Sequence, residues 1–440
     1  MVAGQEQYND IMKFEKSRQF ANRLDSLDKL AKFQQWFLYP ETDGIKSVYF
    51  LGNSLGLQPV SVRLALAKVL QQWADLGVES FFKGKESWLE FHDQLTGKLG
   101  VIIGANPNEI SIMNQLTVNI HLMLASFYRP VGKRKKIIIE AKAFPSDQYA
   151  LDSFIKLLGL DPKEILIEVV ATREDQCIDD DEIVSMIKTH GDELAMIFLG
   201  GVNYYTGQVF DIKKITAAAH SVGAVAGYDL AHAVGNVQLD LHNWDVDFAC
   251  WCSYKYLNAG PGAMGAVFIN QRFHSDDSIN KLAGWWGNKI ENRFNMHRQF
   301  DAADNATAWQ LSTPSMLLYA CLKASLSIFE HAGWHNILEK QDLMKQWLAI
   351  LINDITQSVS SQEVKCLTPL SSGCQVSLYF SKDGKIVFDR LTEKGFMVDW
   401  REPGVIRLAP VPLYNTYTEI WDFYETLKAI LYDLNHINHE

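Results

Sequence analysis

Apolar positions near the start of the chain recur at helical spacing: Phe14, Phe20, Leu24, Leu27, Leu30, Phe33, Trp36 and Phe37. A short strand is expected at 48–51, followed by Gly52-Asn53-Ser54-Leu55-Gly56 and a helix over 61–76. Beyond residue 100 the pattern changes to short apolar runs at 110–113, 137–139, 165–170, 195–199, 224–228 and 248–251. Helical patterns lie between most of them, at 118–128, 147–158, 180–189 and 212–221. This alternation predicts an α/β domain whose largely parallel sheet is covered on both faces. A further run at 265–269 follows too closely on residue 251 for a crossover helix. That seventh strand is therefore expected to be antiparallel. From about residue 316 two helices (316–331 and 335–354), two strands (375–380 and 405–408) and a last helix (417–434) predict a smaller α+β domain. Three regions follow: an N-terminal helical segment (1–85) packing with the small domain, a large α/β domain (86–315) and the C-terminal α+β domain (316–440).

At 440 residues, with 48% hydrophobic and 21% charged positions, the chain has globular composition. Its formal charge of −11 argues against nucleic acid or an anionic membrane as partner. The one basic run, Lys133-Arg134-Lys135-Lys136, reads as a solvated turn before a strand. Six cysteines lack framework or zinc spacing, which fits reduced thiols. The stretch from Met1 to Phe20 is polar and mixed in charge, so a cytoplasmic location is expected.

In open α/β sheets ligands bind beyond the carboxyl ends of the strands. The residues there include Thr117, Phe144 to Asp147, Gly200 to Tyr205, Asp229 to His232 and Ser253-Tyr254-Lys255. Lys255 follows a buried-type run directly, and Asp229 ends the run before it. A strand-end lysine is ordinarily a surface residue. Paired with an acid at the next strand end, it matches what pyridoxal phosphate chemistry needs: an amine to bond the coenzyme and a carboxylate to keep its ring nitrogen protonated. Thr117, opening the predicted helix at 118–128, offers a phosphate site or a plain N-cap. Phe144 offers a stacking platform or a core aromatic. Gly260-Pro261-Gly262-Ala263-Met264-Gly265 fits G-x-G-x-x-G, but it precedes a strand and opens no helix, so no dinucleotide site is read from it. Asp229, His232, Asp240 and His242 lack metal-site spacing, and no metal is expected.

Longer motifs carry a resemblance. Tyr228-Asp229-Leu230-Ala231-His232, the block from Asp247 through Ser253-Tyr254-Lys255 to Gly260, Tyr49 to Pro59, Tyr205-Thr206-Gly207-Gln208 and Arg407 to Asn415 closely resemble the kynureninases, over about residues 45–420. The resemblance implies a fold-type-I pyridoxal 5'-phosphate enzyme of the aminotransferase-like superfamily. It implies a homodimer with active sites at the interface, hydrolysing L-kynurenine or its 3-hydroxy form to anthranilate or 3-hydroxyanthranilate and L-alanine. Tryptophan degradation or NAD biosynthesis would be the setting. By matching motif, Lys255 bonds the coenzyme, Asp229 pairs with its ring nitrogen and His232 supports that pairing. Leu116, Thr117 and Tyr254 hold phosphate, Phe144, Pro145, Ser146 and Asp147 line the ring, and Gly200 also contacts the coenzyme. Trp285 and Thr313 complete the phosphate site from the neighbouring subunit. Arg407 grips the substrate carboxylate, with Ser54 and Phe81 also toward substrate, and Tyr254 is the candidate proton shuttle. Animal members that favour the hydroxylated substrate carry a histidine after the first large helix and an asparagine before the proline that here follows Thr313. This chain has Gly77-Val78-Glu79-Ser80-Phe81-Phe82 and Thr313 at those places, so a preference for L-kynurenine is expected. The alternative is another enzyme of the same coenzyme, such as a cysteine desulfurase, for which Cys374 is the candidate reactive thiol. A non-enzymatic scaffold has no need of Lys255, Asp229 and Arg407 together.

Overall fold

The computed structural model describes residues 14–358, 364–369 and 372–437. Residues 1–13 of the polar N-terminal stretch and 438–440 of the last region lie outside them. The helices in chain order are α1 (Arg18–Leu27), α2 (Val62–Leu76), α3 (Asp93–Ile103), α4 (Leu116–Phe127), α5 (Pro145–Leu157), α6 (Asp180–His190), α7 (Ile212–Ser221), α8 (Met316–Ala332), α9 (Trp334–Ser358), α10 (Gly384–Glu393) and α11 (Tyr417–Ile437).

The apolar runs become β1 (Ile110–Ile112), β2 (Lys136–Glu140), β3 (Leu166–Val169), β4 (Leu194–Gly200), β5 (Val225–Asp229), β6 (Phe248–Trp251) and β7 (Ala266–Ile269). They form one seven-stranded sheet in the order β1-β7-β6-β5-β4-β2-β3. β2 to β6 pair in parallel, and β7 is antiparallel to both its neighbours, as its short connection requires. β6 and β7 are buried along their whole length because both faces are covered. Phe248 stacks between Phe127 of α4, at 4.9 Å, and Phe198 of β4, at 6.2 Å. The chain leaves β2 outward to β3 but leaves β4 the other way to β5. The crevice between the ends of β2 and β4 is thus the topological switch point, where a parallel sheet opens to a ligand.

The small domain holds a four-stranded sheet, β8 (Val364–Cys366), β9 (Val376–Phe380), β10 (Asp399–Arg401) and β11 (Val405–Leu408), in the order β8-β9-β11-β10. The apolar pattern predicts only β9 and β11. The two strands it misses are the edges, each three residues long and partly polar because one side faces water. Phe20 and Leu24 of α1 belong to this domain's core, and the Asp25 carboxylate accepts from the amides of Tyr417 (2.7 Å) and Thr418 (2.9 Å) at the start of α11. Phe33, Phe37 and Val69 pack instead into the core of the large sheet. Among the described residues no helix is long and apolar enough to cross a membrane.

Candidate active site

A cavity of ≈ 150 Å³ lies at the carboxyl ends of β2, β4 and β5 and against the loop after β6. The strands bring Glu140, Gly200 and Asp229 to its wall, and the loop brings Tyr254 and Lys255. That loop is held from outside by the Gly52–Gly56 turn, where Gly56 N donates to Tyr254 O at 2.8 Å. A Cβ on Gly56 would run into the Lys255 carbonyl, so this turn tolerates only glycine.

Lys255 is half-buried, with its ammonium 5.9 Å from the centre of the Phe144 ring. Burial pushes its pKa below the ordinary lysine value, partly offset by Cys252 and Asp229. Asp229 accepts from the amide of Ala231 at 2.7 Å. Burial pushes its carboxyl up, and the Lys255 charge and the Ala231 amide pull the other way. Asp147 is pushed well up by burial and by the negative charge of Asp229. Glu140, at the end of β2, accepts from Gly200 N (3.1 Å) and Asn203 Nδ2 (2.6 Å), and a Cβ on Gly200 would stand 2.8 Å from its Oε1. Glu140 ends its strand as Asp229 ends β5, yet it belongs to none of the motifs above.

Two helices start at the same wall without a side-chain N-cap, α4 after Gln115 and α5 after Phe144 with Pro145 at its first position. Their first turns are joined by Thr117 Oγ1 and Ser146 Oγ at 2.6 Å. The predicted helix at 118–128 in fact begins at Leu116, which puts Thr117 inside the first turn. Two such helix ends present uncapped N–H groups and hydroxyls to one point, the arrangement that takes a phosphate. His232 is also on the wall, but the expected support of Asp229 is not what its ring does: Nδ1 is buried without a hydrogen-bond partner. Burial and the charges of Lys255, Arg407 and Arg401 hold the ring well below its ordinary pKa, so it is neutral at pH 7. Asp147 Oδ1 is a second buried oxygen without a partner. Buried polar atoms are normally satisfied. These orphans, an amine, an acid and an anion cradle in one cavity are the donor set that pyridoxal phosphate would complete. Tyr254 is pushed up by burial and Cys252, so its phenol keeps its proton.

Arg407 lies on β11, 1% exposed, directly opposite Asp399 on β10. Nε and Nη2 donate to the two Asp399 oxygens (3.2 and 2.8 Å), and Nη1 donates to Tyr204 O (2.5 Å). Ser54 Oγ donates to the same aspartate at 3.1 Å. Arg407, Ser54 and Pro145 are not among the residues that line the cavity, and neither are Trp285, Thr313 and Phe81. Trp285 is half-exposed, its indole N–H donating to Arg293 O at 2.9 Å, and Thr313 is exposed. Phe81 packs on Trp88 and Trp286. Cys374 is buried, its thiol pushed up to about 12 by burial, with Gln341 Nε2 at 3.2 Å. A reactive thiol needs the opposite: exposure and a lowered pKa.

The sequence pattern of the aminotransferase class-V family matches residues 48–382, and that of the kynureninase C-terminal domain matches 343–427. A kynureninase from Christiangramia forsetii is 43% identical over 420 residues, covering 95% of this chain and 99% of that protein. A kynureninase from Nematostella vectensis is 42% identical over 435 residues, covering 94% of each. Among solved structures, the cystine C–S lyase C-DES superposes with a TM-score of 0.72 at 18% identity, over 87% of this chain and 97% of that one. The cysteine desulfurase CsdA from Escherichia coli superposes with a TM-score of 0.71 at 16% identity, over 92% and 98%. Likeness at that identity carries the fold alone. The full-length matches at higher identity carry the family: this chain belongs to the aminotransferase class-V family and, within it, to the kynureninases.

Proposed function

We propose that this chain is a pyridoxal 5'-phosphate-dependent hydrolase that cleaves the Cβ–Cγ bond of L-kynurenine to anthranilate and L-alanine. The observation that carries this is the convergence of Lys255 and Asp229 from neighbouring strand ends on a cavity with two partnerless buried polar atoms. The coenzyme, when bound, supplies an electron sink next to the amine it carries. Lys255 would bond it, and the burial that lowers its pKa favours the neutral amine, which once released would take and return the Cα proton. Asp229 would face the ring nitrogen, with Asp147 beside it, and Phe144 would cover one ring face. The first turns of α4 and α5, with Leu116, Thr117 and Ser146, would hold the phosphate. Tyr254 keeps its proton and so serves as donor, giving that proton to the carbon left when the aromatic product departs. Arg407 would hold the substrate carboxylate through its planar fork.

The partner's role completes the reading. Trp285 and Thr313 do not line the cavity of their own chain, and in a homodimer they would close the phosphate site of the other subunit. A cytoplasmic setting is part of the same proposal. The loop at 77–82 and Thr313 offer the substrate ring no histidine or asparagine, which supports preference for L-kynurenine over its 3-hydroxy form.

The test is spectroscopic. Purified protein should show a visible absorption band of lysine-bonded coenzyme that is absent in Lys255→Ala. Adding L-kynurenine should release anthranilate fluorescence, with a higher kcat/KM than for 3-hydroxykynurenine. Sulfur release from cysteine with no anthranilate would turn the assignment to a desulfurase.

A further inference from the structure

The small sheet carries a charge arrangement that the reaction's usual parts do not account for. Asp399 and Arg401 are two residues apart on β10, so their side chains share one face, and Trp400 between them points to the other, against Phe388. Antiparallel register puts Arg407 of β11 directly opposite Asp399. The Asp399 carboxylate therefore meets two guanidiniums. Arg407 takes both its oxygens, and Arg401 approaches the same pair, Nε 3.0 Å from Oδ1 and Nη2 donating to Oδ2 at 3.1 Å.

A guanidinium has five N–H groups. In Arg407, Asp399 uses two and Tyr204 O uses one. One N–H remains on each terminal nitrogen, available to a second carboxylate. The Arg407–Tyr204 bond also aims the guanidinium. Tyr204 lines the cavity, and the turn that carries it is tied to Glu140 through Asn203. Charge then poses a problem. An arginine already neutralised by an aspartate is a poor receptor for another anion, because the resident carboxylate repels the newcomer within a few ångströms. Arg401 removes that difficulty: two positive charges over one negative leave the cluster short of one anion.

We infer that Arg401 and Asp399 are positioning residues for substrate: Asp399 orients the Arg407 fork, and Arg401 cancels the Asp399 charge so that Arg407 stays available to the α-carboxylate of the amino acid. This rests on the reading of Arg407 as the carboxylate receptor. Arg401 acts through charge, and its side chain is 42% exposed on an edge strand, so its replacement leaves the fold intact.

The experiment is calorimetric titration of the coenzyme-loaded enzyme with L-alanine, which has the α-carboxylate, and with 2-aminoacetophenone, which has the ring and ketone but no carboxylate. Arg401→Gln should weaken L-alanine binding about 5–10-fold, with 2-aminoacetophenone binding unchanged and KM for L-kynurenine rising more than kcat falls. The double variant Asp399→Asn/Arg401→Gln restores the charge balance while keeping one side-chain acceptor for Arg407, so it should recover part of the lost affinity, which a purely structural role for Arg401 would not do. Wild-type affinity for L-alanine in Arg401→Gln, or a double variant no tighter than Arg401→Gln, overturns the inference. A wild-type enzyme that neither binds L-alanine nor releases anthranilate overturns the functional reading beneath it instead.

Discussion

Two clusters of ionisable groups face each other across the domain boundary, and they are unbalanced in opposite directions. At the ends of the large sheet three carboxyl groups, Glu140, Asp147 and Asp229, gather around the single amine of Lys255. On the small sheet two guanidiniums, Arg401 and Arg407, gather around the single carboxylate of Asp399. The first cluster is short of positive charge or protons, and the protonated ring nitrogen of a coenzyme would supply one. The second is short of an anion, and the carboxylate of an amino acid would supply one. The difference teaches that a buried imbalance of charge indicates the sign of the missing ligand, because leaving it uncompensated is costly. The two clusters also feel each other, since Arg407 lowers the pKa of both Lys255 and His232.

The comparison breaks first at Arg407. Arg407→Lys keeps the charge and loses the planar fork, so KM for L-kynurenine should rise on the order of 10–100-fold with a smaller change in kcat. Equal losses in kcat and kcat/KM would place Arg407 in the chemistry of the lysine cavity. Steady-state kinetics decides between them.

A second measurement asks whether the cavity is complete within one chain. If Trp285→Ala retains about a tenth of activity, mixing it with inactive Lys255→Ala and allowing subunits to exchange should raise activity to about a quarter of wild type, because hybrid dimers then contain one intact site. Activity staying near a twentieth of wild type after verified exchange would assign Trp285 to its own chain's site.

The smallest effect sharpens the carboxylate side. The Asp147 carboxyl is raised in the folded chain, while the unfolded chain titrates near about 4. The folded state therefore holds this proton more tightly. The stability this contributes is full below pH ~4 and is lost as pH rises through the raised value. Asp147→Asn, uncharged at every pH, should melt about 1–3 °C above wild type at pH 8 in the coenzyme-free protein, with no such gain at pH 4. The same gain at both pH values would show that packing, not charge, is responsible.

The large domain was readable because its strands are buried on both faces. Runs such as 195–199 and 248–251 are continuous and apolar, and the turn after each one marks the cavity wall. Lys255 and Asp229 stand out in sequence because a charged residue directly after such a run has no packing reason to be there. Glu140 stands in the same kind of place, but nothing local separates it from a strand's ordinary polar end. Asp399 and Arg401 had no signal either, because a three-residue edge strand carries no periodic pattern.

What the chain's own order of residues determined is the list of elements, the parallel sheet with one reversed strand, and the chemistry of the amine and acid at its ends. Hydrophobic periodicity and connection length decide those locally. Which side chains then meet was left to the tertiary structure. Strand register placed Arg407 opposite Asp399, burial shifted the pKa of Lys255, His232 and Asp147, and folding left Trp285 and Thr313 off the lining of the cavity. These depend on distances between residues far apart in sequence, and electrostatic energy follows distance in space.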